Sequence, residues 1–527
     1  MHSRTRTHRI LAGVVALAGV MSIPLGCSDS DNGSGGADSG KTERSTAPKS
    51  TAPATDAEVV LETTGEVIAT VDHRYQSYNV EMVEVTGGEF WKPYDAGQGK
   101  VIRPPIDLSS ERLRNLAKAL GPAYIRVSGS WANSTYFDAE GTTGGQTPEG
   151  YGGVLTTEQW LGVGEFAKAV GGEITTSFAS DTGARDASGA WKPDQARALL
   201  RFTKDNDIPL VAVEFINEPS LPIGVPTGYG AAAYAADFAS FVEVVRSEMP
   251  DTRIVGPSAA GDVGNLVITP SIPAEDMFRD TGSHLDVASY HFYPKVSERC
   301  GSTEGPDVAL TGGFLSRIVA TKDFYENLRD RYVPKAPTWI TETAQAACGG
   351  DRWAAQYIDV IRYVDTLGRL ADGDGNAVFH NTLAASDYGL IDEKDLSPRP
   401  NYWAALLWGR LMGSKALVTK SGPAAAPDLA VYAHCTPEAK EPSVTYAIVN
   451  SSRDTSRTVA TSSGEATVYL LTGDSLDGTS ISLNGTPLEA NEDGTPPAIK
   501  GKSVSGAITI PPASVAFVVE RSSSGCG

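Results

Sequence analysis

VAVEFINEPS, residues 211–220, is a strand-forming run that ends in an amide and a carboxylate. The β-branched and aromatic residues from 211 to 216 favour a buried strand. Pro219 cannot donate to a sheet ladder and disfavours helix at Glu218, so the strand stops here. The segment therefore predicts an apolar strand that presents Asn217 and Glu218 at its end.

Strand patterns of this kind alternate with amphipathic helical patterns from residue 61 to residue 412. One predicted helix follows a capping pair at 109–110 and places Leu113, Leu116 and Leu120 on one face. Such alternation predicts parallel strands with crossover helices, and eight units in series close a (β/α)8 TIM barrel, an α/β fold. A doubly wound open sheet is the alternative, but no glycine-rich phosphate-binding motif follows the first strand. The predicted strands are YNVEMV, YIRVSG, ITTSFA, LVAVEFIN, RIVGPSA, DVASYHFY, TWITETA and AVFHNTLA.

The pattern changes at residue 413. Residues 413–527 contain short strand-like runs separated by turn sequences such as LNGTP and NEDGTPP, and no convincing helix. This pattern predicts a C-terminal β-sandwich domain. The segment 61–75 either opens the barrel domain or adds an edge strand to the sandwich, because EVVLETTGEVIATV is itself strand-like.

The N-terminus has the pattern of an export signal. A basic region, MHSRTRTHRI, precedes an apolar run that is short for a membrane span, and Gly26-Cys27 follows. This arrangement looks like a bacterial lipoprotein signal, although Pro24 stands where such signals usually have leucine. We predict a signal peptide over 1–26, lipidation of Cys27, and a flexible linker over 27–60, which is rich in Gly, Ser, Thr and Pro. The expected location is the cell surface, as a membrane-anchored lipoprotein, or the medium, as a secreted protein.

The net charge of −20, with an isoelectric point near 4.8, opposes binding to nucleic acid or to an anionic membrane surface. The lipid anchor is therefore the only membrane contact expected. We expect the protein to be a monomer.

Four cysteines remain after Cys27, and an oxidising compartment favours their pairing into two disulfides. Three pairings are possible, and isolated buried thiols are the alternative. We predict Cys300–Cys348 and Cys435–Cys526, because each pair then lies within one predicted domain.

Glu342, in TWITETAQAACGG, ends the seventh predicted strand as Glu218 ends the fourth. Strand ends meet at one mouth of a barrel, where two carboxylates can lie about 5–5.5 Å apart. At that separation one acts as acid/base and the other as nucleophile, the retaining route of glycoside hydrolysis. Either glutamate alone could be a solvated rim residue. Together, at matching strand ends, they predict a glycosidase site.

Other catalytic chemistries have little support in the sequence. None of the seven histidines lies in an HExxH spacing, and neither a GxSxG elbow nor a paired CxxC motif occurs. We therefore predict neither a metal nor an organic cofactor.

Side chains near the strand ends are candidate substrate contacts. Asn217 can offer its amide to a sugar hydroxyl beside the reacting carbon, or it only ends the strand. Tyr293 or His291, on the sixth strand, can donate to an ionised nucleophile. Trp131 and Trp91 can stack on sugar rings, or they belong to the core.

Several stretches resemble glycoside hydrolase family 79, the family of heparanase and β-glucuronidases, and the N-terminal signal marks a bacterial lipoprotein-type member. The resemblance covers nearly all of residues 65–415 and, more loosely, the β domain. It implies a retaining β-glucuronidase with Glu218 as acid/base and Glu342 as nucleophile. The stretches are YNVEMVEVTGGEFWKPY (78–94), YIRVSGSWANSTYF (124–137), EFINEPS (214–220), WITETAQAACGG (339–350) and SDYGLIDEKDLSPRPNYWAALLWGRLMG (386–413).

The resemblance also implies how glucuronate is held. Glu81 and Asn79 match residues that bind the sugar from the first strand, and the Gly349-Gly350 loop matches one whose N–H groups bind the sugar carboxylate. Cys348 stands where that loop usually has tyrosine, and Ser128 replaces a usual glycine, so strict glucuronate specificity is not implied. The predicted substrate contacts are Asn79, Glu81, Ser130, Trp131, Asn217, His291, Tyr293, Gly349, Gly350 and Tyr388.

We therefore expect a carbohydrate substrate and removal of terminal β-linked glucuronic acid. The net charge opposes a long polyanion, which favours exo-cleavage of short or plant-type glucuronides over heparanase-like endo-cleavage. The same barrel could instead cleave neutral β-glucosides or xylosides. A non-catalytic glycan-binding surface lipoprotein is a further alternative, which the presence of both glutamates disfavours.

Overall fold

The computed structural model of the protein describes residues 57–97, 99–263, 270–522 and 524–526. The predicted signal peptide, Cys27 and most of the predicted linker lie outside the described residues. The described strands are β1 (Val59–Leu61), β2 (Thr63–Thr70), β3 (Gln76–Asn79), β4 (Gly88–Trp91), β5 (Lys100–Arg103), β6 (Tyr124–Val127), β7 (Thr135–Asp138), β8 (Gly153–Thr156), β9 (Glu173–Thr176), β10 (Leu210–Glu214), β11 (Arg253–Ala259), β12 (Val287–Phe292), β13 (Thr338–Thr343), β14 (Ala377–His380), β15 (Lys415–Thr419), β16 (Ala424–Ala426), β17 (Leu429–Cys435), β18 (Ser443–Asn450), β19 (Arg457–Thr461), β20 (Glu465–Gly473), β21 (Ile481–Leu483), β22 (Thr486–Pro487), β23 (Lys502–Ser505), β24 (Ile508–Ile510) and β25 (Ser514–Arg521). The described α-helices are α1 (Met82–Thr86), α2 (Glu111–Ala119), α3 (Thr157–Val170), α4 (Asp194–Asp205), α5 (Ala231–Glu248), α6 (Ala274–Thr281), α7 (Gly312–Leu315), α8 (Arg317–Tyr332), α9 (Asp359–Leu370) and α10 (Pro400–Leu411).

Eight strands close into a barrel in the order in which they occur along the chain: β3, β6, β9, β10, β11, β12, β13 and β14. Neighbouring strands pair in parallel, and β14 pairs back onto β3 with Phe379 opposite Ser77. This closure confirms the (β/α)8 barrel and excludes the open doubly wound sheet, whose two edge strands would not meet. All eight carboxyl ends therefore open at one mouth.

The crossover helices follow from local sequence. In α2, Leu113 and Leu116 are buried on one face, three residues apart, as a helical period requires. The Ser110 side chain accepts a hydrogen bond from the Leu113 N–H, which caps the helix start. In α4, Pro193 occupies the N-terminal cap position, where its missing N–H removes no helical hydrogen bond.

The C-terminal domain consists of two packed sheets. Strands β2, β15–β18, β20–β23 and β25 form the larger sheet, and β1, β19 and β24 form the smaller one. One core lies between them, with Leu61, Val459 and Ile510 of the small sheet in the same cluster as Val431 and Ile448 of the large sheet. Residues 59–70 thus contribute only to this domain, and β2 is an edge strand that pairs with β15.

The opposite face of the larger sheet packs against barrel helices. Trp408 of α10 lies edge-on to Phe517 of β25, with ring centroids 6.5 Å apart. The Tyr432 hydroxyl of β17 donates to Asp365 of α9 at 2.6 Å. These contacts join the sandwich to the barrel well away from the strand ends that form the site.

Both predicted disulfides are confirmed. Cys300 bonds to Cys348, and Cys435 bonds to Cys526. Among the described residues, no helix is long and apolar enough to cross a membrane.

Several barrel strands end earlier than predicted, among them β9 at Thr176 and β14 at His380, and in two strands the difference moves a site residue. The first was expected to run through YNVEMV, but β3 ends at Asn79 and α1 begins at Met82. The Glu81 N–H donates to the Glu84 side chain at 2.7 Å, so Glu81 starts a helical turn at the barrel mouth. The fourth was expected to run to Asn217, but β10 ends at Glu214. Glu218 therefore lies in the loop beyond the strand rather than at its tip.

Candidate active site

A cavity of about 540 Å³ opens at the carboxyl ends of the barrel strands. Both predicted catalytic glutamates line it. So do six other residues singled out from the sequence: Glu81, Trp91, Ser130, Trp131, Tyr293 and Tyr388. Two other cavities, of about 490 and 710 Å³, contain neither glutamate in their walls. The chemistry predicted from the sequence therefore converges on one cavity.

The two glutamates face each other across this cavity. Glu342 lies in β13 beside His291 of β12, and Glu218 follows β10 on the other side of that histidine. One carboxylate oxygen of Glu218, one of Glu342 and a nitrogen of His291 all lie within 4.8 Å of one another. This spacing fits the separation of about 5–5.5 Å in retaining glycosidases and not the roughly 6.5–9.5 Å of inverting ones.

The Glu218 backbone is held in an unusual conformation. Its φ angle is +48°, in the left-handed region that non-glycine residues rarely occupy, at a typical cost of about 1–3 kcal/mol. Asn133 fixes the preceding residue from both sides, because its amide nitrogen donates to the Asn217 carbonyl and its amide oxygen accepts from the Asn217 N–H, each at 2.9 Å. These bonds offset the strain and aim the Glu218 side chain into the cavity.

The Glu342 carboxylate accepts one hydrogen bond at each oxygen. The Tyr293 hydroxyl donates to Oε1 at 2.6 Å, and the Arg126 guanidinium donates to Oε2 at 3.1 Å. The Asn381 amide donates to the Tyr293 hydroxyl at 2.9 Å, which directs the hydroxyl proton toward Glu342. These two hydrogen bonds fix the orientation of the Glu342 carboxylate, whose side chain is only 10% exposed.

Arg126 organises the base of the site. Its guanidinium is fully buried and also donates to Glu214 at 2.8 Å and to the Asn217 side-chain oxygen at 2.7 Å. Burial opposes its charge, yet the carboxylates of Glu214 and Glu342 outweigh burial and raise the Arg126 pKa. Because Asn217 accepts with its oxygen, its amide nitrogen is left for a substrate hydroxyl.

The contacts of His291 define its tautomer. An arginine can only donate, so the Arg126 nitrogen 3.3 Å from Nε2 makes Nε2 an acceptor. The ring proton then resides on Nδ1, 3.0 Å from Glu218 Oε1, and is donated to that oxygen. His291 thereby fixes one oxygen of Glu218, and the other has no hydrogen-bond partner among the described residues. A cation could also bind to Glu218, His291 and Glu342. Arg126, however, already places a positive charge beside Glu342 and His291.

Glu81 is a second buried carboxyl at the cavity wall. Burial, followed by the nearby Glu342 charge, raises its pKa well above the ordinary range. Its Oε2 has no protein partner among the described residues. Gly129 has a φ of +87°, and a Cβ there would overlap the Glu81 carboxyl, so only glycine admits it. Glu81 thus places a polar group in the cavity wall, with Oε2 buried against Gly129.

Five predicted contacts do not line the cavity: Asn79, Asn217, His291, Gly349 and Gly350. Asn79 is buried below it and donates to the Thr341 carbonyl at 3.2 Å. The Gly350 N–H donates to the Ala346 carbonyl at 3.2 Å, so the expected role in binding a sugar carboxylate does not fit Gly350. Gly349 is packed tightly against Trp91 and Arg299. Asn217 and His291 still bond to residues of the site, Asn217 to Arg126 and His291 to Glu218, whereas the other three only lie near it.

Four contributors were missed by sequence reasoning: Arg126, Asn133, Asn381 and Lys100. Arg126 carried a signal, because a charged residue inside the apolar run YIRVSG is rarely buried without carboxylate partners. Lys100, on β5, belongs to a hairpin that the barrel pattern did not predict. Asn133 and Asn381 look like ordinary loop residues in the sequence.

A closed (β/α)8 barrel with paired glutamates, one in the loop after β10 and one on β13, defines a glycoside hydrolase. The family model "Glycosyl hydrolase family 79, N-terminal domain" matches residues 97–368, just over half of the sequence, and the chain belongs to this family.

Relatives and solved structures agree with this assignment. Over 408 residues, 71% of each chain, the sequence is 26% identical to heparanase-like protein 1 of Arabidopsis thaliana. Over 253 residues, 46% of each chain, it is 32% identical to baicalin-beta-D-glucuronidase of Scutellaria baicalensis. A 4-O-alpha-L-rhamnosyl-beta-D-glucuronidase from Fusarium oxysporum has the same fold, with a TM-score of 0.62 at 14% identity, over 88% of this chain and all of that one.

Proposed function

We propose that the protein is a retaining β-glucuronidase that removes terminal β-linked glucuronic acid. The observation that carries the retaining mechanism is the separation of the Glu218 and Glu342 carboxylate oxygens, which is within 4.8 Å. Too little space then remains between the carboxylates for the attacking water of an inverting enzyme. Glu342 is assigned as the nucleophile because Tyr293 and Arg126 each donate a hydrogen bond to one of its oxygens and so fix the carboxylate in place.

The reaction proceeds in two displacements. Glu342 attacks the anomeric carbon while Glu218 gives its proton to the glycosidic oxygen, so the bond to the leaving group breaks and a glycosyl ester forms. Glu218, now ionised, takes a proton from water, which attacks the same carbon and releases Glu342. Asn217 contributes its free amide to the hydroxyl next to the reacting carbon, where the contact strengthens in the transition state.

The choice of glucuronic acid is supported by the relatives, one of which is named as a β-D-glucuronidase. Glu81, Asn381 and Tyr388 supply polar groups at the cavity wall. Exo-cleavage fits a protein with a net charge of −20 better than cleavage within a polyanion does.

The proposal is tested by trapping the intermediate with 2-deoxy-2-fluoro-β-D-glucuronyl fluoride and mapping the adduct by mass spectrometry. We expect one adduct, on the peptide that contains Glu342, and none in Glu342→Ala. Glu218→Ala is the matched control, since it should still form the adduct with this activated leaving group. Labelling on another residue would refute the nucleophile, and release of inverted sugar by proton NMR would refute the retaining mechanism.

We also propose that the protein is exported and anchored through lipidated Cys27. The N-terminal pattern supports this, and so do two disulfides, which persist in oxidising compartments. Intact-mass analysis of the membrane fraction tests it, with a diacylglyceryl-sized increase on the peptide that begins at Cys27. A soluble product without that increase, or an unchanged location of Cys27→Ala, would exclude the anchor.

A further inference from the structure

The hairpin of β4 and β5 forms one wall of the cavity. Trp91 and Lys100 are directly opposite each other in its antiparallel register, and both line the cavity. The residue before Trp91 in β4, Phe90, is buried and packs edge-on against Trp131, with ring centroids 4.8 Å apart. The Lys100 ammonium lies 4.9 Å from the Trp91 ring centroid and 5.3 Å from that of Trp131. Two aromatic faces therefore hold this cation at the cavity wall.

The cavity is otherwise acidic. Its described lining contains four carboxyl groups, those of Glu81, Asp181, Glu218 and Glu342, and a single cationic side chain, that of Lys100. The Lys100 ammonium makes no ion pair with any described carboxylate, and its only described partners are the two tryptophan rings. An anionic sugar that enters such a cavity needs a counter-charge, and Lys100 is placed to supply it.

The other cations near the site are already engaged. Arg126 lies below the cavity and donates to Glu342 and Glu214. Arg299 is buried and pairs with Asp387 at 2.5 Å. Neither of them lines the cavity.

We propose that Lys100 binds the carboxylate of the glucuronic acid and thereby determines the preference for a uronic acid over a neutral sugar. The inference rests on the proposed function. We place Lys100 on the side of the cavity that holds the glucuronic acid rather than the leaving group. The reason is that Trp91, whose ring contacts the Lys100 ammonium, packs on Gly349, beside the β13 segment that holds Glu342. The leaving group must lie at Glu218, where the lining residues Leu221 and Ile223 are apolar. The charge-assisted bond replaces the backbone contact that Gly350 cannot make.

The test compares Lys100→Met with Lys92→Met, a control on the same hairpin that removes the same charge outside the cavity lining. The substrates are 4-nitrophenyl β-D-glucuronide, its neutral methyl ester, and 4-nitrophenyl β-D-glucoside. In Lys100→Met we expect the ratio of kcat/KM for the glucuronide to kcat/KM for the methyl ester to fall about 10- to 100-fold, as for one lost charge-assisted hydrogen bond. Lys92→Met should keep the wild-type ratio, and Lys100→Arg should recover part of it.

The outcomes separate this assignment from the proposed function. The role of Lys100 alone would be overturned if Lys100→Met still preferred the glucuronide over its methyl ester. It would also be overturned if the activity of this variant fell equally on charged and neutral substrates. A preference for 4-carboxyphenyl over phenyl β-D-glucoside that disappears in Lys100→Met would also overturn it, because the lysine would then bind the leaving group. A wild-type enzyme that cleaves only the neutral substrates would overturn the proposed function itself.

Discussion

Replacing Tyr293 with phenylalanine tests whether the hydrogen bond to Glu342 is used in catalysis. The substitution removes one hydroxyl and keeps a buried ring that packs with Ala344 and Tyr388. The lost contact is 2.6 Å long and joins a hydroxyl to a carboxylate. Asn381 loses the acceptor of one N–H and keeps its bond to the Tyr388 hydroxyl at 3.2 Å.

The expected loss follows from the type of bond. A hydrogen bond to a charged group contributes ~1.5–3 kcal/mol, and each ~1.4 kcal/mol in the activation free energy is a factor of ten in rate. We therefore expect kcat/KM of Tyr293→Phe to fall roughly 10- to 150-fold. The thermal midpoint should change little, because the apolar surface that is buried stays the same.

The assay is steady-state hydrolysis of 4-nitrophenyl β-D-glucuronide, with Tyr290→Phe as the matched control. Tyr290 lies on β12, which ends one residue before Tyr293. It is also buried, but its hydroxyl has no hydrogen-bond partner among the described residues, and its ring stacks on Tyr325 at 4.4 Å. Tyr290→Phe should keep wild-type kinetics. A Tyr293→Phe enzyme within threefold of wild type, or an equal loss in both variants, would refute the argument.

Two further predictions concern stability. Burial raises the pKa of Glu84 from 4.5 to about 7, so its contribution to the free energy of unfolding is full below pH 4.5 and is lost as pH rises to 7, by up to ~3 kcal/mol. Glu84→Gln should therefore gain in thermal midpoint relative to wild type over that range, and parallel pH curves by circular dichroism would contradict this. The Cys300–Cys348 bond closes a loop with a sequence separation of 48, so its removal by serine substitution should lower the free energy of unfolding by roughly 4 kcal/mol. It should also raise KM, since both cysteines line the cavity. Removal of Cys435–Cys526 should cost a similar amount and leave KM unchanged; a KM that changes in both variants, or in neither, would exclude a role of the first bond in the site.

Much of the barrel could be predicted from the sequence because its signals are local. The alternation of apolar runs with amphipathic helices requires only near neighbours along the chain, and it located all eight barrel strands. The ends of these strands were less accurate. Glu81 starts a helix and Glu218 lies in a strained loop, because capping bonds and Asn133 override strand propensity at both places.

The candidate site, like the barrel, could be predicted from the sequence only in part. The sequence by itself identified the two glutamates as candidates, since each follows a predicted strand. It left the donor to Glu342 open between Tyr293 and His291 and allowed three cysteine pairings, and the structure decided both. Only the tertiary structure decided that Arg126 of β6 joins Glu214, Asn217 and Glu342, because those groups meet only when the sheet closes on itself. It also decided that Lys100 is left with aromatic partners above an acidic cavity. Pairing between side chains depends on distances across the barrel, and such distances are not encoded in the periodicity of any one segment.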